Sequence, residues 1–235
     1  MAKTVGMNRA VKREWLDKTA GLVNAGHDET KIRAELQEYL SFEIKSPVVL
    51  KNTRTILLQS WVYIEEDQFP IRDAALRVIG KEIPADIIAA HWCMMLIAYP
   101  LMRDICNLIG KLTNIQDTFS VAWIKEKLTE TWGERATILD SVSKILQTMR
   151  QLGVIENANM GTYKINKFMI HSEEAIVLLV QTILYMKEKA YYEISDVQQV
   201  PSMFPFEFTV THELIYNTES LKLSNFGGKA VLTSE

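Results

Sequence analysis

The stretch that decides the fold reads Thr137-Ile138-Leu139-Asp140-Ser141-Val142-Ser143-Lys144-Ile145-Leu146-Gln147-Thr148-Met149-Arg150-Gln151-Leu152-Gly153, then Val154-Ile155-Glu156-Asn157-Ala158-Asn159-Met160-Gly161-Thr162-Tyr163-Lys164-Ile165-Asn166-Lys167. Ile138, Val142, Ile145, Met149 and Leu152 recur at helical spacing, and Leu139 and Leu146 widen the stripe. Gly153 falls just past the last periodic residue, where a left-handed helix stop needs no Cβ. Two short β-prone runs follow, separated by Asn157-Ala158-Asn159-Met160-Gly161, a hairpin signal. Helix, tight stop and small hairpin make the order of a recognition helix and wing in a winged helix.

At about 100° per residue, the side opposite the apolar stripe carries Asp140, Lys144, Gln147 and Gln151, flanked by Thr137, Ser143, Thr148 and Arg150. Lysine and arginine neutralise phosphates, and glutamine and arginine reach base edges in a major groove. Lys164 and Lys167, in and just after the hairpin, add charge beside it. Asp140 and Glu134 work against phosphate, and the same face would also suit an ordinary solvated helix. Winged helices serve as protein-docking modules too.

Working outward, the 235-residue chain is long enough for one large or two small domains. Its net charge of −3 provides no global basic field. The charge is uneven: residues 1–60 hold 10 basic and 7 acidic side chains and residues 119–167 hold 7 and 5, whereas 168–235 hold 4 and 9. A polyanion-binding surface is therefore expected from the first or third segment. Cys93 and Cys106 sit in apolar helical sequence without metal-spaced partners, which reads as free thiols in a reducing cytosol. No signal peptide is visible, and the apolar run Ile87–Met102 is interrupted by His91 and Pro100, short of the ~20 residues needed to span a bilayer. The expectation is a cytoplasmic protein without membrane contact.

In chain order, residues 8–25 read as a helix with Val11, Trp15, Leu16, Ala20 and Val23 on one side. Asp28 is an N-cap candidate for a second helix striped by Ile32, Leu36, Tyr39 and Leu40. Ser46-Pro47 opens a third, which presents Lys51, Asn52, Arg54, Thr55 and Gln59. Lys51 and Arg54 are second candidates for phosphate contact. Pro70 starts a short helix ending near Gly80, and Pro84 starts another in which His91 reads as a hydrogen-bonded core histidine. Pro100 kinks or restarts that helix through Leu112. The polar run Thr113–Thr118 marks a boundary, and Phe119–Leu128 reads as the next helix. Ser172 caps an apolar helix carrying Glu173 and Glu174 in its first turn. Met203-Phe204-Pro205-Phe206-Glu207-Phe208 reads as extended and aromatic, and Asn225-Phe226-Gly227-Gly228 as the turn of a second hairpin.

The predicted architecture is mainly α: an N-terminal helical bundle over residues 1–114, a winged-helix-like unit over 115–170, and a C-terminal helix and β-hairpin region over 171–235. Chemistry-bearing motifs are absent. Gly227-Gly228 lacks the other positions of a nucleotide fingerprint, and His27, His91, His171 and His212 lack zinc spacing. Neither a serine elbow nor a catalytic cysteine setting occurs. No cofactor, no metal and no catalytic residue are expected, so a binding or assembly role fits better than an enzyme.

The order of parts resembles the BrxA family, accessory components of bacterial and archaeal BREX phage-defence systems. The resemblance covers roughly residues 8–232 and is carried by Lys51-Asn52-Thr53-Arg54-Thr55-Ile56, Tyr99-Pro100-Leu101-Met102-Arg103-Asp104, Met149-Arg150-Gln151-Leu152-Gly153-Val154-Ile155 and Met203-Phe204-Pro205-Phe206. It implies antiviral defence, double-stranded DNA and other phage-defence proteins as partners, and an N-terminal part similar to the antitermination factor NusB. Contact candidates come from the residues themselves: Lys144, Gln147, Arg150, Gln151, Lys164 and Lys167, then Lys51 and Arg54. The rival expectations are an assembly subunit whose winged helix docks on protein, with Phe204–Phe208 as exposed anchors, and a winged-helix transcriptional regulator.

Overall fold

Short polar caps and prolines set where the first helices start. In the computed structural model, which describes residues 5–113 and 115–233, the Asp28 carboxylate accepts from the Lys31 amide at 2.8 Å and starts α2 (Glu29–Ser41), following α1 (Arg13–Asn24). Ser46 and Pro47 start α3 (Pro47–Trp61) as expected, and α4 (Phe69–Ile79) ends against Gly80. Pro84 opens α5 (Pro84–Ala98), which is buried nearly all round and forms the centre of the helical part. Pro100 then restarts the chain as α6 (Pro100–Thr113), bent by 119° from α5. Tyr99, held extended in front of the proline, makes that corner. No single described helix is long and apolar enough to cross a membrane.

The helix expected over residues 8–25 begins only at Arg13. Residues 5–12 form an irregular strap instead, because tertiary partners take its backbone groups. The Val11 amide donates to Thr148 Oγ1 at 3.1 Å, and the Val5 carbonyl accepts from the Leu101 amide at 3.1 Å. Met7 and Val11 are almost wholly buried, which offsets the helical hydrogen bonds forgone.

Beyond α6, the expected boundary at Thr113–Thr118 includes Asn114, outside the described residues. Phe119 belongs to a strand, β1 (Thr118–Ser120), rather than to the next helix. Ser120 caps α7 (Val121–Trp132) by accepting from the Trp123 amide at 3.1 Å, so the chain is extended up to that serine. The polar-faced helix is α8 (Ala136–Gln151), and Gly153 stops it with φ +73°. It runs into an antiparallel hairpin, β2 (Ile155–Asn159) and β3 (Thr162–Ile165), turned at Met160-Gly161. Strand β1 pairs with the other edge of β3, giving the sheet order β1–β3–β2.

The remainder covers the bundle. After β4 (Phe168–Met169), Ser172 caps α9 (Glu173–Met186), which packs on α4 and α5. Then come β5 (Tyr192–Glu193), α10 (Ile194–Val197), β6 (Phe206–Glu207), α11 (His212–Tyr216), and the hairpin β7 (Lys222–Phe226) and β8 (Lys229–Thr233). Strand β6 pairs in parallel with β4, and the last sheet runs β5–β8–β7. The fold is thus mainly helical with small sheets toward the C-terminus, and one apolar cluster runs from Met7 to Leu232.

The aromatic run is not an exposed anchor. Phe204, Phe206 and Phe208 are 5%, 4% and 9% exposed. Trp92 meets Phe204 and Phe206 edge to face, at 5.5 and 5.9 Å between centroids, and its indole N–H donates to the Ser202 carbonyl. An apolar central helix leaves Trp92 needing a cover, and this segment supplies it.

Candidate nucleic-acid interface

The apolar stripe of α8 orients everything on its other side. Ile138, Val142, Ile145 and Met149 are buried toward α6, α7 and β2. That burial turns Thr137, Asp140, Ser143, Gln147, Arg150 and Gln151 outward, with Lys144 half-buried at the edge. Among the described residues, no hydrogen bond or ion pair ties down the side chains of Lys144, Gln147, Arg150 or Gln151. Arg150 lies in the last turn, where the helix dipole favours a cation. Thr148 departs from its expected outward place. It is fully buried, donates to the Lys144 carbonyl at 3.0 Å and receives the Val11 amide. A small hydroxyl satisfied on both sides sits among the strap's apolar residues without an unpaired group.

The hairpin beside α8 is anchored at its base, where Asn166 donates from its side chain to the Gly153 carbonyl at 2.9 Å. Its register sets Glu156 opposite Lys164, with 4.0 Å between Nζ and Oε1 and both side chains more than half exposed. Such a pair is worth little and does not hold Lys164 from another anion. Met160 stands fully exposed at the tip. Lys167 is committed elsewhere: its ammonium donates to the Phe204 carbonyl at 2.7 Å and holds the aromatic segment in place.

The two N-terminal candidates part company. Lys51 is exposed on α3, one turn before Thr55. Arg54 turns to α2, donating to Gln37. One turn beyond Lys51 the structure shows a relation that periodicity could not. Thr55 and Gln59 of α3, Asn8 and Arg9 of the strap, and Asp140 and Lys144 of α8 line one cleft of about 630 Å³. Arg9 carried no signal in the sequence, since it fell inside a stretch read as helix. Only the strap's path brings it to α8.

His91, Cys93 and Cys106 lie in the core. His91 is fully buried with Nε2 2.7 Å from an Asp17 carboxylate oxygen, and burial holds its imidazole below the ordinary value against the carboxylate's pull. Burial also pushes the Cys93 thiol up to about 12 and raises that of Cys106. Among the described residues, no group of three or more His, Cys, Asp or Glu is placed to hold a metal ion. Compared with family models, curated proteins and solved structures, the chain matches none.

Proposed function

We propose that α6 to β3 form a winged helix and that the protein is a non-enzymatic DNA-binding subunit of a phage-defence system of the BrxA type, acting in the cytoplasm beside other defence proteins. The order helix, strand, helix, helix, hairpin, with β1 joined to β3, supports the winged-helix reading. The observation that carries DNA binding is the polar side of α8, where Lys144, Gln147, Arg150 and Gln151 have no side-chain partner among the described residues. On this reading α8 lies in the major groove and Lys164 meets adjacent backbone.

The test is fluorescence anisotropy of a labelled duplex of roughly 30 bp, long enough for several helical turns, across a salt series. Lys144→Ala and Arg150→Ala are each expected to weaken binding and to flatten the log–log salt slope by about one unit. Unchanged slopes in both variants refute this docking. A second reading, docking onto a protein through the wing, is favoured by Met160 at the hairpin tip. In that case Met160→Ala loses the partner while the salt slope stays as it was.

A further inference from the structure

The cleft between the strap, α3 and α8 has the makings of a small-ligand site. Its volume of about 630 Å³ lies within the range of such sites, about 300–1,000 Å³. One wall is pinned in advance: Val5 is bonded to Leu101 and Val11 to Thr148, so the strap is held on both sides of Asn8 and Arg9. Gly6 makes the close approach possible, since a Cβ there would come within 2.8 Å of Ser141 Oγ and 2.9 Å of Leu101.

The charges in the cleft are set apart rather than paired. Asp140 and Lys144 are four residues apart on one helix, the spacing at which opposite charges usually meet, yet no ion pair joins them. Arg9 spends one N–H on the carbonyl of its own neighbour, Asn8, and among the described residues the rest of its guanidinium has no partner. The cleft also opens along the first turns of α8, from Thr137 to Lys144. A ligand suited to this arrangement has a compact anion for Arg9 and Lys144 and a hydrogen-bond donor for Asp140. Ile56 and Ile138 also line the cleft, and Gln59 adds a carboxamide without a partner among the described residues, a group that pairs with the amino and ring-nitrogen edge of adenine.

We propose that this cleft binds one nucleotide unit, its phosphate on Arg9 and Lys144 and its base over the isoleucines against Gln59. The unit is either a free mononucleotide or an unpaired nucleotide of a bound strand. Because Lys144 and Asp140 also belong to the polar face of α8, the decisive variants are Arg9→Ala and Gln59→Ala, which the proposed duplex face does not use.

Adenosine 5′-monophosphate is titrated calorimetrically into the full chain, and blunt duplex is compared by anisotropy with the same duplex carrying one unpaired adenine. Arg9→Ala is expected to weaken whichever complex forms by about tenfold or more, the effect of losing a charge-assisted hydrogen bond. Binding of the mononucleotide identifies a free ligand. A preference for the unpaired adenine, erased by Arg9→Ala, identifies a strand-borne one. Absence of both, or affinities untouched by Arg9→Ala and Gln59→Ala, overturns the proposal. Thermal melts check that the variants fold, and Gln59→Ala decides alone if Arg9→Ala does not. Blunt-duplex salt slopes of Lys144→Ala and Arg150→Ala report separately on the DNA reading.

Discussion

Thr148→Val removes one oxygen from the middle of the protein and tests how the strap is held. The side chain is fully buried, and its hydroxyl accepts from the Val11 amide while donating to the Lys144 carbonyl. Valine has nearly the same shape and fills the same space, so cavity effects are small. The Lys144 carbonyl sits four residues before Thr148 in α8 and keeps its ordinary helical acceptor role. The Val11 amide has no such alternative, and an unsatisfied buried donor costs about 1–3 kcal/mol. For a chain of this size that corresponds to a fall in melting temperature of roughly 2–12 °C. Thr148→Ser keeps the hydroxyl and loses one methyl, about 0.8 kcal/mol for the transfer alone. Urea unfolding of the three proteins gives the ranking. Hydrogen exchange at Val11 adds a local reading, with protection falling about 5- to 150-fold in the valine variant if the strap opens locally. A valine variant as stable as wild type would show that the Val11 bond does not hold the strap.

Phe204→Ala opens a hole against Trp92 and is expected to cost about 3–5 kcal/mol by urea unfolding; a loss below 1 kcal/mol, on the scale of a surface substitution, would restore the aromatic segment as a docking surface. His91 is held below its ordinary pKa of 6.5 by burial, so the unfolded chain takes up its proton first. Its stabilising contribution is complete above that value and is lost as pH falls below it, at up to about 1.4 kcal/mol per pH unit. His91→Gln should flatten unfolding free energy between pH 7 and 5, and an unaltered pH slope would contradict the sign. Cys93 and Cys106, buried and hard to deprotonate, should resist iodoacetamide at pH 8 until urea unfolds the chain; rapid labelling of the native protein would show that α5 and α6 open readily.

Local signals were legible wherever neighbours in sequence set the structure. Asp28, Ser46, Pro84, Pro100 and Ser172 mark helix starts because a cap or a fixed φ acts within one turn. The stripe from Ile138 to Met149 determined which side of α8 faces solvent, since burying five apolar side chains outweighs any alternative rotation. Gly153 and the Gly227-Gly228 turn followed from the left-handed backbone each needs. What depended on distant residues could not be read. The helix expected from residue 8 did not form before Arg13 despite the helical spacing of Val11, because Leu101 and Thr148 compete for the strap's backbone groups. Phe119 fell into β1 because a partner strand forty-four residues onward, at Tyr163, was in reach. The aromatic run looked exposed because sequence shows hydrophobicity but not what covers it, and the cover is Trp92. Likewise Arg9, Gln59 and Lys144 lie far apart in the chain, and only packing gives them one cleft.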